Sequence, residues 1–255
     1  MKMCNQLIVC SPLEQFEIVT IVPLSMSGFN FSLTNSSLFL LASLFLAIFW
    51  VSLSFHNLTI VPNSWQGAKE SLYEVTSDMV RENLGSKGET YFPMIFSLHL
   101  MLFYCNLVGM VPYSFTVTSH IAFTFGLALS IFIGINIIGI QTHGSKFFAL
   151  FLPKGVPLVI VPLLVTIEFL SYTVKVFTIS IRLFANMTSG HTLLKIIAGF
   201  SWTMLSAGGL LAFFHLIPLV LLLALIGLEL AIAGLQAYVF TLLTCIYLND
   251  VLDLH

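Results

Sequence analysis

Charge is what this sequence has least of: Asp, Glu, Lys and Arg together make up 8% of its 255 residues, against 58% hydrophobic. Soluble domains carry about 25% charged and about 45–50% apolar residues, so this composition cannot furnish a water-facing surface. The net charge of −2 also lacks the basic excess that a nucleic-acid partner or a polybasic membrane anchor requires. Cysteine is sparse, and Cys4, Cys10, Cys105 and Cys245 show no paired metal-ligand spacing. They read as small hydrophobes. No two histidines have the i, i+4 spacing of a metal pair, so neither a metal nor a cofactor is expected. The first thirty residues lack the basic start, apolar core and small-residue cleavage site of a signal peptide. Short alternating segments, the mark of a membrane β-barrel, are missing too.

What the sequence does have is long apolar runs. Lipid offers no partner to an unpaired backbone amide, so such runs must be helical. The expected class is an all-α polytopic membrane protein in one membrane domain. After an N-terminal segment (1–36), a first span covers 37–56 and ends at His56-Asn57. Residues 62–90 change character, holding eight of the twenty formal charges, from Lys69 and Glu70 to Lys87 and Glu89. Their apolar positions Leu72, Val75, Met79 and Trp65 recur near helical spacing, which predicts an amphipathic helix on the membrane surface. A second span covers 91–112, stopped by Pro112, and a third covers 120–141. The run Pro153-Lys154-Gly155-Val156-Pro157 reads as punctuation.

Two apolar stretches, 157–200 and 202–250, each exceed forty residues. As continuous helices they would be on the order of 65 Å long, twice the ~30 Å hydrocarbon core. No polar turn interrupts either, so the reading is a strongly tilted antiparallel helix hairpin. Gly208-Gly209 and Pro218 are placed as bends within its second arm.

A polar seam runs along each arm. Glu168, Lys175 and Arg182 are seven residues apart, two turns less about 20°, and so share a face. Asn186 and Ser189 extend it, with His191 and Lys195 further along. On the other arm His215, Glu229, Gln236 and Asp250 form a second series at multiples of seven. A charged side chain within a bilayer costs about 3 kcal/mol on insertion scales and marks a transport path by default. Arg182 cannot escape that cost by losing its proton. A structural ion pair is the competing reading: Glu168, roughly 21 Å away along one helix, is out of reach, whereas Glu229 is not. Lys175 can snorkel, and His99 reads as a satisfied core group.

The run Ser180-Ile181-Arg182-Leu183-Phe184-Ala185-Asn186-Met187, followed by Gly190-His191, resembles the signature of subunit a of rotary (F-type) ATP synthases. So do Gly227-Leu228-Glu229-Leu230, Gln236-Ala237-Tyr238-Val239-Phe240 and Asn106-Leu107-Val108-Gly109-Met110-Val111-Pro112-Tyr113-Ser114-Phe115. The resemblance spans about Ser11 to Asp250, with separated motifs in the expected order. It implies a proton-conducting stator subunit that has no chemistry of its own and translocates protons for the synthase. Its partners would be the c-ring, the peripheral stalk, other membrane-sector subunits and lipid, with no nucleic acid. Arg182 would be the fixed charge facing the rotor carboxylate, with Asn186 and Gln236 as polar neighbours. His191, Glu229 and His215 would line the half-channel through which protons enter, and Glu168 and Asp250 the one through which they leave. The order His191 then Glu229 resembles mitochondrial forms, and Ser11-Pro12-Leu13-Glu14-Gln15-Phe16 and Tyr247-Leu248-Asn249-Asp250 resemble plant or protist ones, implying the mitochondrial inner membrane.

If Arg182 and Gln236 stand level on antiparallel arms, as the resemblance implies, Glu229 falls beside position 189 and Asp250 beside Glu168. Titratable groups then lie on both sides of the arginine. A stand-alone transporter with a midplane charged site is the alternative, although inverted repeats and broken helices are not evident. A purely structural subunit would not need the seam.

Overall fold

The computed structural model describes residues 11–23, 25–26, 29–30, 32–53, 60–111, 114–144, 147 and 160–252. Cys4, Cys10, the end of the first span at His56-Asn57, Pro112-Tyr113 and Pro153-Lys154-Gly155-Val156-Pro157 lie outside the described residues. The helices are α1 (Asn35–Leu53), α2 (Ser64–Leu84), α3 (Phe92–Gly109), α4 (Ile121–His143), α5 (Val161–Ala207), α6 (Gly209–Phe214) and α7 (Leu216–Leu252). Among the described residues five of these, α1, α3, α4, α5 and α7, are long and apolar enough to cross a membrane. The architecture is the all-α membrane-spanning one that composition predicts.

Many hydroxyl side chains within these helices bond to carbonyls three or four residues back, which an apolar solvent favours. Ser43 donates to the Leu40 carbonyl at 2.8 Å, Thr166 to Pro162 at 2.8 Å and Thr178 to Val174 at 3.0 Å. Ahead of α1 the chain forms a 3-10 turn, Pro12–Phe16, and two small antiparallel ribbons. One pairs β1 (Thr20–Val22) with β4 (Leu33–Thr34), the other β2 (Ser25–Met26) with β3 (Phe29–Asn30). Asn35 ties this segment to α1: its amide donates to the Glu17 carbonyl at 3.0 Å, and its Oδ1 accepts from the Val19 N–H at 3.2 Å.

The core lies where α3, α4, α5 and α7 meet. Leu98, Leu102, Ala128, Val176, Ile179, Leu183, Ala237 and Phe240 form one buried cluster there. Neighbouring helices run antiparallel, as the cross-links show. Thr124 on α4 meets Ser180 on α5 at 3.2 Å, and nearer the opposite end of α4 Tyr172 donates to Asn136 at 3.3 Å. Between α3 and α7, His99 Nδ1 lies 3.2 Å from the Thr241 hydroxyl, and the Asn106 amide donates to the Ala233 carbonyl at 3.1 Å. His99 is thus the satisfied core group that the sequence implies.

α2 packs against α7 through Met79, Val80 and Leu84, which join Cys245, Leu248 and Val251 in a second cluster. The buried face differs from the expected stripe: Trp65 is 66% and Val75 47% exposed, while Thr76 and Val80 are buried. The docking line follows i, i+4 steps from Leu72 through Thr76 and Val80 to Leu84, and Val75 lies off it.

α5 is continuous for 47 residues, a rise of about 70 Å. It does not end near 200 but runs to Ala207, and Gly208 makes the turn with Gly209 opening α6, so the pair ends the first arm rather than bending the second. Both glycines have left-handed φ (68° and 60°), which other residues adopt only with strain. Pro218 falls in the first turn of α7, where its missing N–H costs no helical bond.

Candidate functional site

Arg182 stands on the face of α5 turned away from the bundle and is exposed. Exposed apolar side chains stand near it on the helix: Val174, Phe177 and Ile181 are each 46–49% exposed. Among the described residues no carboxylate lies within ion-pair distance of the guanidinium, so the structural pair with Glu229 is not formed. The helix thus presents a permanent cation with no carboxylate among the described residues to pair it, beside exposed apolar side chains.

One turn away, the Asn186 amide donates to Gln236 Oε1 at 3.0 Å, and Gln236 is buried. The register between the arms is therefore shifted by one turn from the level placement of Arg182 and Gln236. Asp250 consequently reaches Lys175, at 3.7 Å, rather than Glu168. Lys175 also lies over the Tyr247 ring, 5.1 Å from its centroid. Glu168 is exposed, seven residues and about 10 Å along the axis from that pair. Arg182, Lys175, Ser171, Thr178 and Tyr247 line an open cleft of about 410 Å³.

Toward the hairpin turn the polar groups are enclosed. Glu229 is 9% exposed and packs against the α5 backbone at Gly190, where a Cβ would come within 2.6 Å of its Oε1. Glycine is what lets the carboxyl approach so closely. His191 and Glu229 both line a cavity of about 250 Å³, together with Asn186, Ser189 and Met110. His191 and Met110 also line a second cavity of about 780 Å³, between α5, the 114–116 segment and the N-terminal turn. Its polar lining includes Gln15, Asn35, Ser114, Thr116 and Lys195, and Lys195 donates to the Ser11 carbonyl at 3.4 Å. Both cavities have room and polar partners for water. His191 stands at the partition between them.

His215 sits between α6 and α7, fourteen residues before Glu229, about 21 Å further toward the hairpin end. It is not among the residues that line either cavity. The structure thus brings His191, Glu229, Asn186 and Gln236 together, and separately Arg182, Lys175 and Asp250, leaving Glu168 and His215 toward the two ends.

Sequence reasoning missed the α3–α4 connection. Thr116 Oγ1 lies 3.2 Å from His191 Nε2, Ser114 donates to the Val108 carbonyl at 2.6 Å, and Thr188 donates to the Ser119 carbonyl at 3.3 Å. The signal was present as a hydroxyl-rich run, Ser114 to Ser119, between two apolar spans. Such a composition ordinarily marks a solvated loop, whereas here Thr116, Thr118 and Ser119 are buried.

The family model described as ATP synthase A chain matches residues 36–249. The ATP synthase subunit a of Chondrus crispus is 80% identical over 99% of this chain and 100% of its own length. Those of Marchantia polymorpha and Brassica napus are 50% and 49% identical, over 96% and 98% of this chain and 99% and 98% of their own.

Proposed function

The chain belongs to the ATP synthase A chain family, and on that premise we propose that its two polar groups are offset half-channels separated by Arg182. It is a proton-conducting stator subunit of the synthase membrane sector, working with other subunits of that sector. The finer assignment starts from one observation: an exposed arginine beside exposed apolar side chains, with no carboxylate among the described residues to pair it. A permanent cation at that place calls for an anion supplied from outside, and a carboxylate on each subunit of a rotor ring, the c-ring, meets the need. The peripheral stalk would hold this chain against the ring's turning. The mitochondrial inner membrane is the proposed location, supported by the His191-then-Glu229 order.

In this reading a proton enters the larger cavity, reaches His191 and passes to Glu229 in the smaller one, with His215 outermost on the same side. Asn186, exposed and bonded to buried Gln236, stands at the rotor-facing edge of that cavity. The proton neutralises a rotor carboxylate, which then turns into lipid without carrying a charge there. After nearly a full rotation the carboxylate meets the open cleft, ionises near Arg182 and releases its proton toward Asp250 and Glu168. Arg182 stabilises the ionised carboxylate between the channels and bars direct leakage. Arg182→Ala tests this: proton-driven ATP synthesis should disappear while passive proton conduction persists. Normal ATP synthesis by that variant would refute the assignment.

A further inference from the structure

We propose that Thr116 is a positioning residue that holds the proton of neutral His191 on Nε2, so that the ring exchanges protons through Nδ1 alone. The inference rests on the reading of His191 as a proton carrier. It is carried by a three-atom arrangement that joins the α3–α4 connection to the hairpin arm α5. Thr116 Oγ1 donates to the Gly109 carbonyl at 3.3 Å and lies 3.2 Å from His191 Nε2. A hydroxyl has one proton, and a carbonyl can only accept. With that proton committed to Gly109, the hydroxyl offers His191 a lone pair, and Nε2 must carry the hydrogen. In the opposite arrangement the hydroxyl donates to Nε2, and two oxygens face each other at 3.3 Å with no hydrogen between them. The Thr116 hydroxyl makes two hydrogen bonds in the first arrangement and one in the second, while Ser114 Oγ, 3.1 Å from the Gly109 carbonyl, donates to it in either.

The hydroxyl is also held in place. Thr116 is 4% exposed, and its carbonyl accepts from Ser119 Oγ at 2.6 Å. Gly109 forms a notch for it: a Cβ there would come within 2.7 Å of Thr116 Cγ2 and 3.1 Å of its Oγ1. Next to His191 in the chain, Gly190 leaves the matching space for Glu229. The imidazole thus meets Thr116 directly and shares a cavity with Glu229, and each of those two groups packs against a glycine. A neutral imidazole with Nε2 fixed as donor has one free lone pair, at Nδ1. There an N–H bond forms when a proton arrives from the cavity water, and the same bond breaks when the imidazolium passes its proton on toward Glu229. Lys195, one turn further along α5, is the remaining charged group among the described residues that line the two cavities, and it can donate but not accept.

The test uses the intact ATP synthase in proteoliposomes. Thr116→Val keeps the shape and removes the hydroxyl, whereas Thr116→Ser keeps the hydroxyl and removes the methyl. ATP-driven proton pumping should fall roughly fivefold in the valine variant, about the population factor of one net hydrogen bond, and recover in the serine variant. A merely structural role would give the reverse ranking. Valine pumping at the unaltered rate overturns the proposal. His191→Ala separates the two levels: unchanged pumping sinks the reading of His191 itself, while loss of pumping with a silent valine variant sinks only the role of Thr116. Should the valine variant fail to assemble, 15N spectra of the histidine-labelled unaltered complex decide. A neutral His191 protonated on Nε2 supports the proposal, and one protonated on Nδ1 overturns it.

Discussion

The two ends of the α5–α7 hairpin handle polar groups in opposite ways. Toward the turn, Glu229 is buried, His191 is bonded to a buried threonine, and two cavities flank the ring. Toward the other end, Lys175 and Asp250 are 37% and 43% exposed beside an open cleft. An enclosed group is controlled by geometry, since each partner sits in a fixed low-dielectric contact. A group in an open cleft exchanges with its surroundings and is governed by net charge. Proton uptake at one carboxylate after another demands the first kind of control, and release down a concentration gradient needs only the second.

The sharpest way to break that comparison is at the glycine notch. Gly190→Ala puts a Cβ within 2.6 Å of Glu229 Oε1, so the carboxyl must move by the better part of an ångström. Displacements of that size cost up to ~10²-fold in reactions that depend on alignment, and a comparable fall in proton uptake is expected. Gly134→Ala, where nothing lies within 4 Å, should pump normally in the same assay. Equal losses in both would show that helix glycines matter for flexibility and not for the notch.

A smaller effect is expected at the boundary between the two ends. Asn186→Ala removes the 3.0 Å bond to Gln236 and leaves a buried amide with one fewer partner. An unsatisfied buried polar group costs about 1–3 kcal/mol, enough to lower the thermal stability of the assembled sector. Asn186→Ala combined with Gln236→Leu should recover much of that loss, because it removes both halves of the bond. Thermal inactivation of the two variants measures it.

Much of this layout was legible from residue spacing. An arginine within an apolar run signals itself, and seven-residue steps put Glu168, Lys175 and Arg182 on one face before any coordinates are known. The pairing between arms was harder to read. It assumed that levels trade off one residue for one residue, yet the contacts drift. Between the Gly190–Glu229 and Asn186–Gln236 contacts, α7 advances seven residues while α5 retreats four. From there to Lys175–Asp250 it advances fourteen against eleven. Side chains of different length project around the crossing helices, and a sequence carries neither the crossing angle nor the reach of each rotamer. The α3–α4 connection was illegible for another reason: a polar run looks solvated unless one knows that α5 lies across it, as the Thr188–Ser119 bond shows.

The smallest effect is predicted at the open end, and it is the one that best tests the contrast. Lys175 and Asp250 are 3.7 Å apart, a long contact between two side chains that both face outward. Exposed ion pairs contribute about 0–1 kcal/mol, because water competes for both partners and two flexible side chains must be held still. The ring of Tyr247 adds a cation–π contact of the same modest order, ~0.5–1 kcal/mol at an exposed site. Lys175→Gln should therefore leave assembly and thermal inactivation nearly unchanged and slow proton release only slightly. The charge-swapped pair, Lys175→Asp with Asp250→Lys, should behave like the unaltered protein, since an open cleft reads net charge and not position. Passive proton conduction through the membrane sector measures both. If Lys175→Gln abolished conduction as thoroughly as Gly190→Ala, the cleft would have to be closed by the rotor in the assembled enzyme. The pair would then sit in a low-dielectric enclosure of its own, where losing one partner leaves the other charge uncompensated. The two ends of the hairpin would in that case work by one principle, with the rotor supplying at the second end the wall that α3 and its connection supply at the first.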